Sequence, residues 1–156
     1  MTNPRPRLFV ICGLPGSGKT TLATDLARTR SAVRFCPDEW FLALKLDIWD
    51  EALRVSIEAT QWGLAQELLG LGVNVIVEFG SWARVERDVL REGARALGAA
   101  VELRYLDAPL DELYRRVTER GGIDPPMTRA NFDEWAAAIE VPTPSELALF
   151  DPSSDA

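Results

Sequence analysis

The chain has 156 residues, 47% hydrophobic and 26% charged, with a formal charge of -7, the balance of a folded domain that buries a core without disulfides or metals. Histidine is absent, which excludes Ser-His-Asp and Cys-His catalysis, phosphohistidine relays and the zinc or iron sites that lean on imidazole. The acidic balance also opposes a broad nucleic-acid footprint, which needs a basic stripe, and leaves nucleic acid an unfavoured partner.

Met1 to Arg7 precedes an apolar run, Leu8 to Cys12, too short for a signal h-region or a membrane span; a cytoplasmic protein is expected. Arg7 to Cys12 reads as a buried strand, followed by a glycine-rich turn and a helix from about Lys19 to Thr29. Val33 to Cys36 is a second short strand. From about Asp50 to Leu71 the apolar residues Leu53, Ile57, Leu64, Leu68 and Leu71 predict a long helix, ended by Gly70 and Gly72. Val73 to Glu78 is a nearly continuous Val/Ile run, the pattern of a parallel strand buried on both faces. A helix from about Val85 to Leu97, a strand from Ala100 to Leu106, a helix from Leu110 to Arg120, a loop from Gly121 to Met127 and a helix from Arg129 to Ile139 complete the order. Only Leu147 to Phe150 offers a fifth strand, and Asp151 to Ala156 reads as a frayed tail. This βα alternation predicts an α/β fold, a parallel sheet with helices on both faces, in a single domain spanning 1–156. Cys12 and Cys36 lack CxxC spacing and read as two buried thiols.

Gly13-Leu14-Pro15-Gly16-Ser17-Gly18-Lys19-Thr20 matches G-x-x-x-x-G-K-[ST] between a strand and a helix. The glycines let successive amides turn inward as an anion nest, and the helix adds unpaired amides and the positive end of its dipole. Gly13, Pro15, Gly16, Ser17, Gly18, Lys19, Thr20 and Thr21 are therefore expected around the phosphates of ATP. Lys19 should reach the β- and γ-phosphates, and the Thr20 hydroxyl should ligate Mg2+, with Asp38 or Glu78 behind a water. No Asn-Lys-x-Asp segment reads guanine, and the chain is short for a motor ATPase. Pro37-Asp38-Glu39-Trp40 follows the second strand instead, at the sheet edge where ligands bind in open α/β folds.

Gly13 to Thr20, Pro37-Asp38-Glu39 and Val75-Ile76-Val77-Glu78-Phe79-Gly80 together resemble the small P-loop kinases of the AAA_33 type, which are similar to zeta toxins, chloramphenicol phosphotransferase and the kinase domain of polynucleotide kinase. The resemblance extends over nearly the whole chain, including Trp135 and Pro142 to Glu146. It implies a three-layer P-loop NTPase fold of strand order 2-3-1-4-5 and a short arginine-bearing lid over about 116–130. It also implies Asp38 as general base, Glu78 as a contact to substrate or to the Mg2+ water shell, and Arg116 and Arg120 as stabilisers of the transferring phosphoryl group. The short lid and the weakly marked fifth strand depart from that pattern.

Each candidate has a structural alternative. Asp38 is also a good helix cap, and Glu78 ends an apolar strand where an unpaired carboxylate is costly, so it requires a cation, a metal water or a substrate hydroxyl. Arg116 and Arg120 share a helix face and can embrace phosphate oxygens; Arg84 opens a helix, an unfavourable place for a cation, which hints at substrate. Arg87, Arg91 and Arg95 alternate with Glu86, Asp88 and Glu92 and read as a solvated, salt-bridged face. Trp40 and Trp82 follow strand ends and are candidates for an apolar platform or for the core, whereas Trp49, Trp62 and Trp135 read as core. The expected activity is transfer of the γ-phosphoryl group of Mg-ATP to a hydroxyl of a small molecule such as an antibiotic, a sugar or a nucleoside derivative. The alternatives are a polynucleotide 5′-hydroxyl kinase and a nucleotide-gated binding module.

Overall fold

The computed structural model describes residues 4–154. Its elements are β1 (Arg7–Cys12), α1 (Lys19–Thr29), β2 (Ala32–Phe35), α2 (Pro37–Ala43), α3 (Glu51–Gly70), β3 (Asn74–Gly80), α4 (Arg84–Ala96), β4 (Ala100–Tyr105), α5 (Leu110–Arg120), α6 (Arg129–Ala138) and α7 (Pro144–Leu147). The strands form one parallel sheet of order β2-β3-β1-β4.

Period-two alternation in β1 divides its side chains between two cores. Leu8 and Val10 join Ala65, Leu69, Leu90 and Ala94 on the α3/α4 face, and Phe9 and Ile11 join Ala23 and Leu26 on the α1 face. A third cluster, Leu14, Leu113, Val117 and Phe132, seats α5 and α6 beside the turn after β1. The sheet thus has helices on both faces, and the strand ends all open in one direction, toward the turns after β1, β2 and β3.

The expected fifth strand at Leu147 to Phe150 does not form. Pro144–Leu147 is a helix, and the outer edge of β4 is covered by the segment after it. Asp151 N–H donates to Val101 O (2.8 Å), Val101 N–H donates to the Asp151 carboxylate (2.7 Å), and Ser154 N–H donates to buried Glu102 (2.7 Å). Residues 151–154 are therefore anchored where a frayed tail is expected; residues 155 and 156 lie outside the described residues, as do residues 1–3. Pairing through a few backbone groups and one carboxylate blunts a sheet edge as a strand would.

The second correction concerns the arginine row of α4. Arg87, Leu90 and Ala94 share the inward stripe of the helix, and Arg87 is 1% exposed. Its Nε and Nη2 donate to Glu146 of α7 (2.7 and 2.9 Å), and its remaining N–H groups donate to the carbonyls of Ser81 (2.8 Å), Trp82 (3.0 Å) and Glu140 (2.8 Å). Arg91 lies over the Phe150 ring (5.5 Å), and Arg95 donates to Leu149 O (2.8 Å) and pairs with Asp151. The row is the seat of the C-terminal segment. Spacing of four alone did not separate the solvated face from the inward one, because Leu90 and Ala94 complete the stripe only when Arg87 is counted in it.

Removing one partner of a buried ion pair strands the other. Glu146→Ala is expected to lose about 3–5 kcal/mol of stability, read as a lower urea midpoint. The double variant Arg87→Met/Glu146→Leu should lose less than Glu146→Ala, without full recovery, because the Ser81, Trp82 and Glu140 carbonyls also lose their donor.

Candidate active site

The turn after β1 is held by contacts that suit an anion cradle. Gly16 has φ +83°, and a Cβ there would meet the Leu113 carbonyl at 2.7 Å, so the loop lies against α5 only with glycine at this position. The Lys19 ammonium donates to Gly13 O and Leu14 O (2.9 Å each). Burial pulls its pKa below the ordinary lysine value, opposed by the Asp38 and Glu78 carboxylates. Pro15, Gly16, Gly18, Thr20 and Thr21 line a cavity of about 400 Å³ with Arg116 and Arg120 on its far wall. Arg116 Nη1 donates to Gly16 O (3.0 Å), which seats the guanidinium beside the loop, while Arg115 is engaged with Glu112 and Glu119.

Thr20 opens α1, and its hydroxyl donates to Glu78 Oε1 (2.9 Å); Glu78 Oε2 accepts from Arg34 of β2 (2.5 Å). Glu78 is buried at the end of β3, and the cation that such a carboxylate requires is Arg34, which also pairs with Glu39. Hydroxyl and carboxylate oxygens adjacent to one another are the hard donors that Mg2+ takes. Among the described residues no group of three or more acidic side chains converges on a metal position, so protein groups fit this ion as one hydroxyl and one or two carboxylates, with phosphates and water completing its shell.

Asp38 is in the first turn of α2 rather than capping it; the N-cap is Cys36, with Pro37 at the first helical position. The Asp38 carboxylate is exposed and accepts from Arg54 of α3 (2.9 Å). It stands where two cavities meet. The second, about 310 Å³, shares Pro15, Lys19, Asp38, Glu78 and Met127 with the first and extends between α2, α3 and the β3–α4 loop.

The wall of this second cavity corrects part of the tryptophan assignment. Trp49, expected in the core, lines it together with Trp82 and Trp135, while Trp135 also packs on the Leu113/Val117/Phe132 cluster as expected. Trp135 stacks on Trp49 (6.4 Å between centroids) and tilts against Trp82 (5.9 Å). Trp49 Nε1 donates to Pro125 O of the lid loop (2.9 Å), and Trp82 Nε1 donates to Gly13 O (3.2 Å). Trp62 packs on the core as expected, and Trp40 does the same, away from the cavity. Arg84 also lies apart from both cavities, paired with Asp88 one turn on (3.7 Å).

Arg54, Glu51 and Glu58 of α3 line the cavity and were not singled out in the sequence, and Glu86 of α4, read there as part of a solvated face, lines it too. The available signal was that Arg54 and Glu58 are four apart on α3, the side of that helix next to Ile57 and Gln61, which are buried.

The sequence profile of the AAA_33 family, an AAA domain, matches residues 8–142. The chain belongs to the AAA_33 family. No curated protein matches it by sequence. Among solved structures, this AAA_33 chain is similar to a gluconokinase from Sinorhizobium meliloti 1021 (20% identity, 90% of this chain and 78% of that one, TM-score 0.62) and to a sugar kinase from Janibacter sp. HTCC2649 (25% identity, 92% and 82%, TM-score 0.65). It is also similar to a chain of the Pnkp1/Rnl/Hen1 RNA repair complex (22% identity, TM-score 0.73), matching 96% of its own length but only 48% of that chain. These likenesses show that the AAA_33 chain has the P-loop kinase fold. Among its described residues, no helix is long and apolar enough to cross a membrane.

Burial, and then the charges of Glu86, Asp38 and Glu51, raise the Glu58 carboxyl from 4.5 to about 7, against the pull of Arg54. Between those two values the folded chain holds a proton that the unfolded chain has released, so stability falls as pH rises through this window and levels off above it. Glu58→Gln removes the titration. Its melting temperature should therefore exceed the parent's by more at about pH 8 than at about pH 5, measured by thermal denaturation in matched salt.

Proposed function

We propose that this AAA_33 protein is an ATP-dependent phosphotransferase that moves the γ-phosphoryl group of Mg-ATP to an alcohol of a small molecule. The observation that carries this reading is the junction of the two cavities. Lys19, Asp38 and Glu78 border both, so a phosphoryl group held by the glycine-rich loop on one side and a hydroxyl seated on the other meet at a carboxylate.

The nucleotide side holds the phosphates by loop amides, by Lys19 and by the guanidinium groups of Arg116 and Arg120, which together hold negative charge where it is redistributed during transfer. Mg2+, when bound, would neutralise charge on the phosphates; Thr20, with Glu78 behind a water, would hold it. Asp38 takes the proton of the acceptor hydroxyl as its oxygen bonds to the γ-phosphorus and the bond to the β,γ-bridging oxygen breaks, leaving ADP. Arg54 fixes the orientation of that carboxylate through the 2.9 Å contact. Trp82, anchored to Gly13, contributes the apolar side of the acceptor cleft.

The likeness to a chain of an RNA repair complex favours a second reading, a polynucleotide 5′-hydroxyl kinase. Against it, the cleft beyond Asp38 bears Glu51, Glu58 and Glu86, which repel a phosphate backbone.

The test is a mass-spectrometric search for phosphorylated products among pooled hydroxyl metabolites and antibiotics with Mg-ATP, using Lys19→Ala as the blank. A product absent from the blank is expected. With that acceptor, Asp38→Asn should lower kcat by about 10²–10⁴-fold with Mg-ATP affinity unchanged; full activity in Asp38→Asn removes the general-base role. Tight, salt-sensitive oligonucleotide binding would move the assignment to the second reading.

A further inference from the structure

The acceptor half of the cleft has a charge and a surface that select between classes of alcohol. The whole cavity is bordered by five carboxylates against two cations, and both cations are committed, Lys19 to the loop carbonyls and Arg54 to Asp38. Glu51, Glu58 and Glu86 therefore line the cavity with no salt bridge among the described residues, and only the charge of Arg54, already bonded to Asp38, draws on Glu58: Glu86 accepts a long bond from Ala83 N–H (3.4 Å), and Glu58 accepts no hydrogen bond among the described residues. Trp49, Trp82 and Trp135 line the same cavity, with Trp135 against both of the others, and aromatic faces carry the negative part of the ring quadrupole.

A separate observation points to an occupant of this space. Ser81 lines the cavity and is 2% exposed, with φ +51°, and its hydroxyl has no hydrogen-bond partner among the described residues. Its backbone is fixed by Arg87, which takes the Ser81 carbonyl. A buried hydroxyl costs free energy until it is bonded, and here it can accept an N–H or exchange a bond with an alcohol.

We propose that the phosphoryl acceptor is an alcohol that also carries a positively charged amino or quaternary ammonium group, its cation held between the Trp49/Trp82/Trp135 wall and the carboxylates of Glu58 and Glu86, and its hydroxyl directed to Asp38. This rests on the phosphotransferase reading. Aromatic faces and carboxylates both attract a cation, and the tryptophan face is the strongest such surface. A neutral acceptor leaves the carboxylates desolvated and unpaired, and an anionic one adds like-charge repulsion. Burial first, and then the charges of Glu86, Asp38 and Glu51, push the Glu58 carboxyl up to about 7, and a bound cation offsets the charge part of that cost. A cavity of about 310 Å³ is at the lower end of small-molecule sites, which span roughly 300–1,000 Å³. In the transfer the alcohol oxygen bonds to the γ-phosphorus, its proton passes to Asp38, and ADP leaves. The ammonium group changes no bond.

The experiment uses two matched pairs, choline with its neutral isostere 3,3-dimethylbutan-1-ol, and 2-deoxystreptamine with myo-inositol. Binding is followed by tryptophan fluorescence and calorimetry without nucleotide, and transfer is followed by mass spectrometry with Mg-ATP. The expected result is that at least one cationic member binds about 10-fold or more tighter than its neutral partner, that Glu58→Gln/Glu86→Gln cancels the difference while the protein keeps its fold and its Mg-ATP affinity, and that the cationic member is the one phosphorylated. Equal binding and phosphorylation of both members of a pair overturns the inference and leaves the phosphotransferase reading intact. So does failure of both cations to bind. Selective cation binding that the double variant abolishes, with no phosphoryl transfer to any alcohol, overturns instead the reading on which the acceptor role rests.

Discussion

Burying a guanidinium is tolerable only when its charge is paired and its five N–H donors are met, and in this protein Arg87 meets that demand with groups from three separate stretches of chain. Glu146 supplies the counter-charge from a four-residue helix, while Ser81, Trp82 and Glu140 supply carbonyls. The consequence reaches the site directly. Ser81 and Trp82 form the loop after β3, Trp82 is bonded to the first glycine of the phosphate loop, and Glu140 follows the helix that carries Trp135. One buried cation therefore sets the spacing between the anion cradle, the aromatic wall and the C-terminal segment that covers the edge of β4.

Around that frame the cleft is electrostatically divided. At one end Lys19, Arg116 and Arg120 beside the glycine-rich loop favour phosphate; at the other, Glu51, Glu58 and Glu86 oppose it. Asp38 stands at the boundary with Arg54 against it, and Glu78 is neutralised by Arg34 while bonded to Thr20. For the transfer proposed above, a polarity of this kind would orient the two substrates without further devices, because each would be repelled from the other's seat. The two cysteines take no part: burial pushes both thiols up to about 11, which leaves them protonated and unreactive at neutral pH.

Much of the architecture was legible in the sequence. The Val/Ile run of β3 and the apolar run of β1 have no polar alternative to double burial, and the glycine-rich turn between strand and helix defines its own geometry by the φ angles it requires. Asp38 and Glu78 could be picked out because one follows the second strand and the other lies near the end of the third, where a parallel sheet opens. The parts that were not legible share a cause. A fifth strand was sought where Pro144 starts a helix with Thr143 as its cap, and Asp151 closed the sheet edge by a side-chain bond that leaves no pattern in sequence. Arg87 was placed on a solvated face because an arginine on the inward stripe is improbable until its partner, 59 positions away, is known.

The sequence by itself determined the parallel α/β sheet, the phosphate loop with Lys19 and Thr20, and the carboxylates at the strand ends, since all of these follow from local periodicity, from glycine's access to positive φ and from chain order. The tertiary structure decided which charges are compensated and which rings meet. Trp49, Trp82 and Trp135 come from three distant segments, and Glu51 and Glu58 differ from any surface glutamate only through what α3 packs against. Burial and pairing are properties of the assembled chain, because the energy of a charge depends on what lies within a few ångströms of it, and that neighbourhood is set by the fold rather than by adjacent residues.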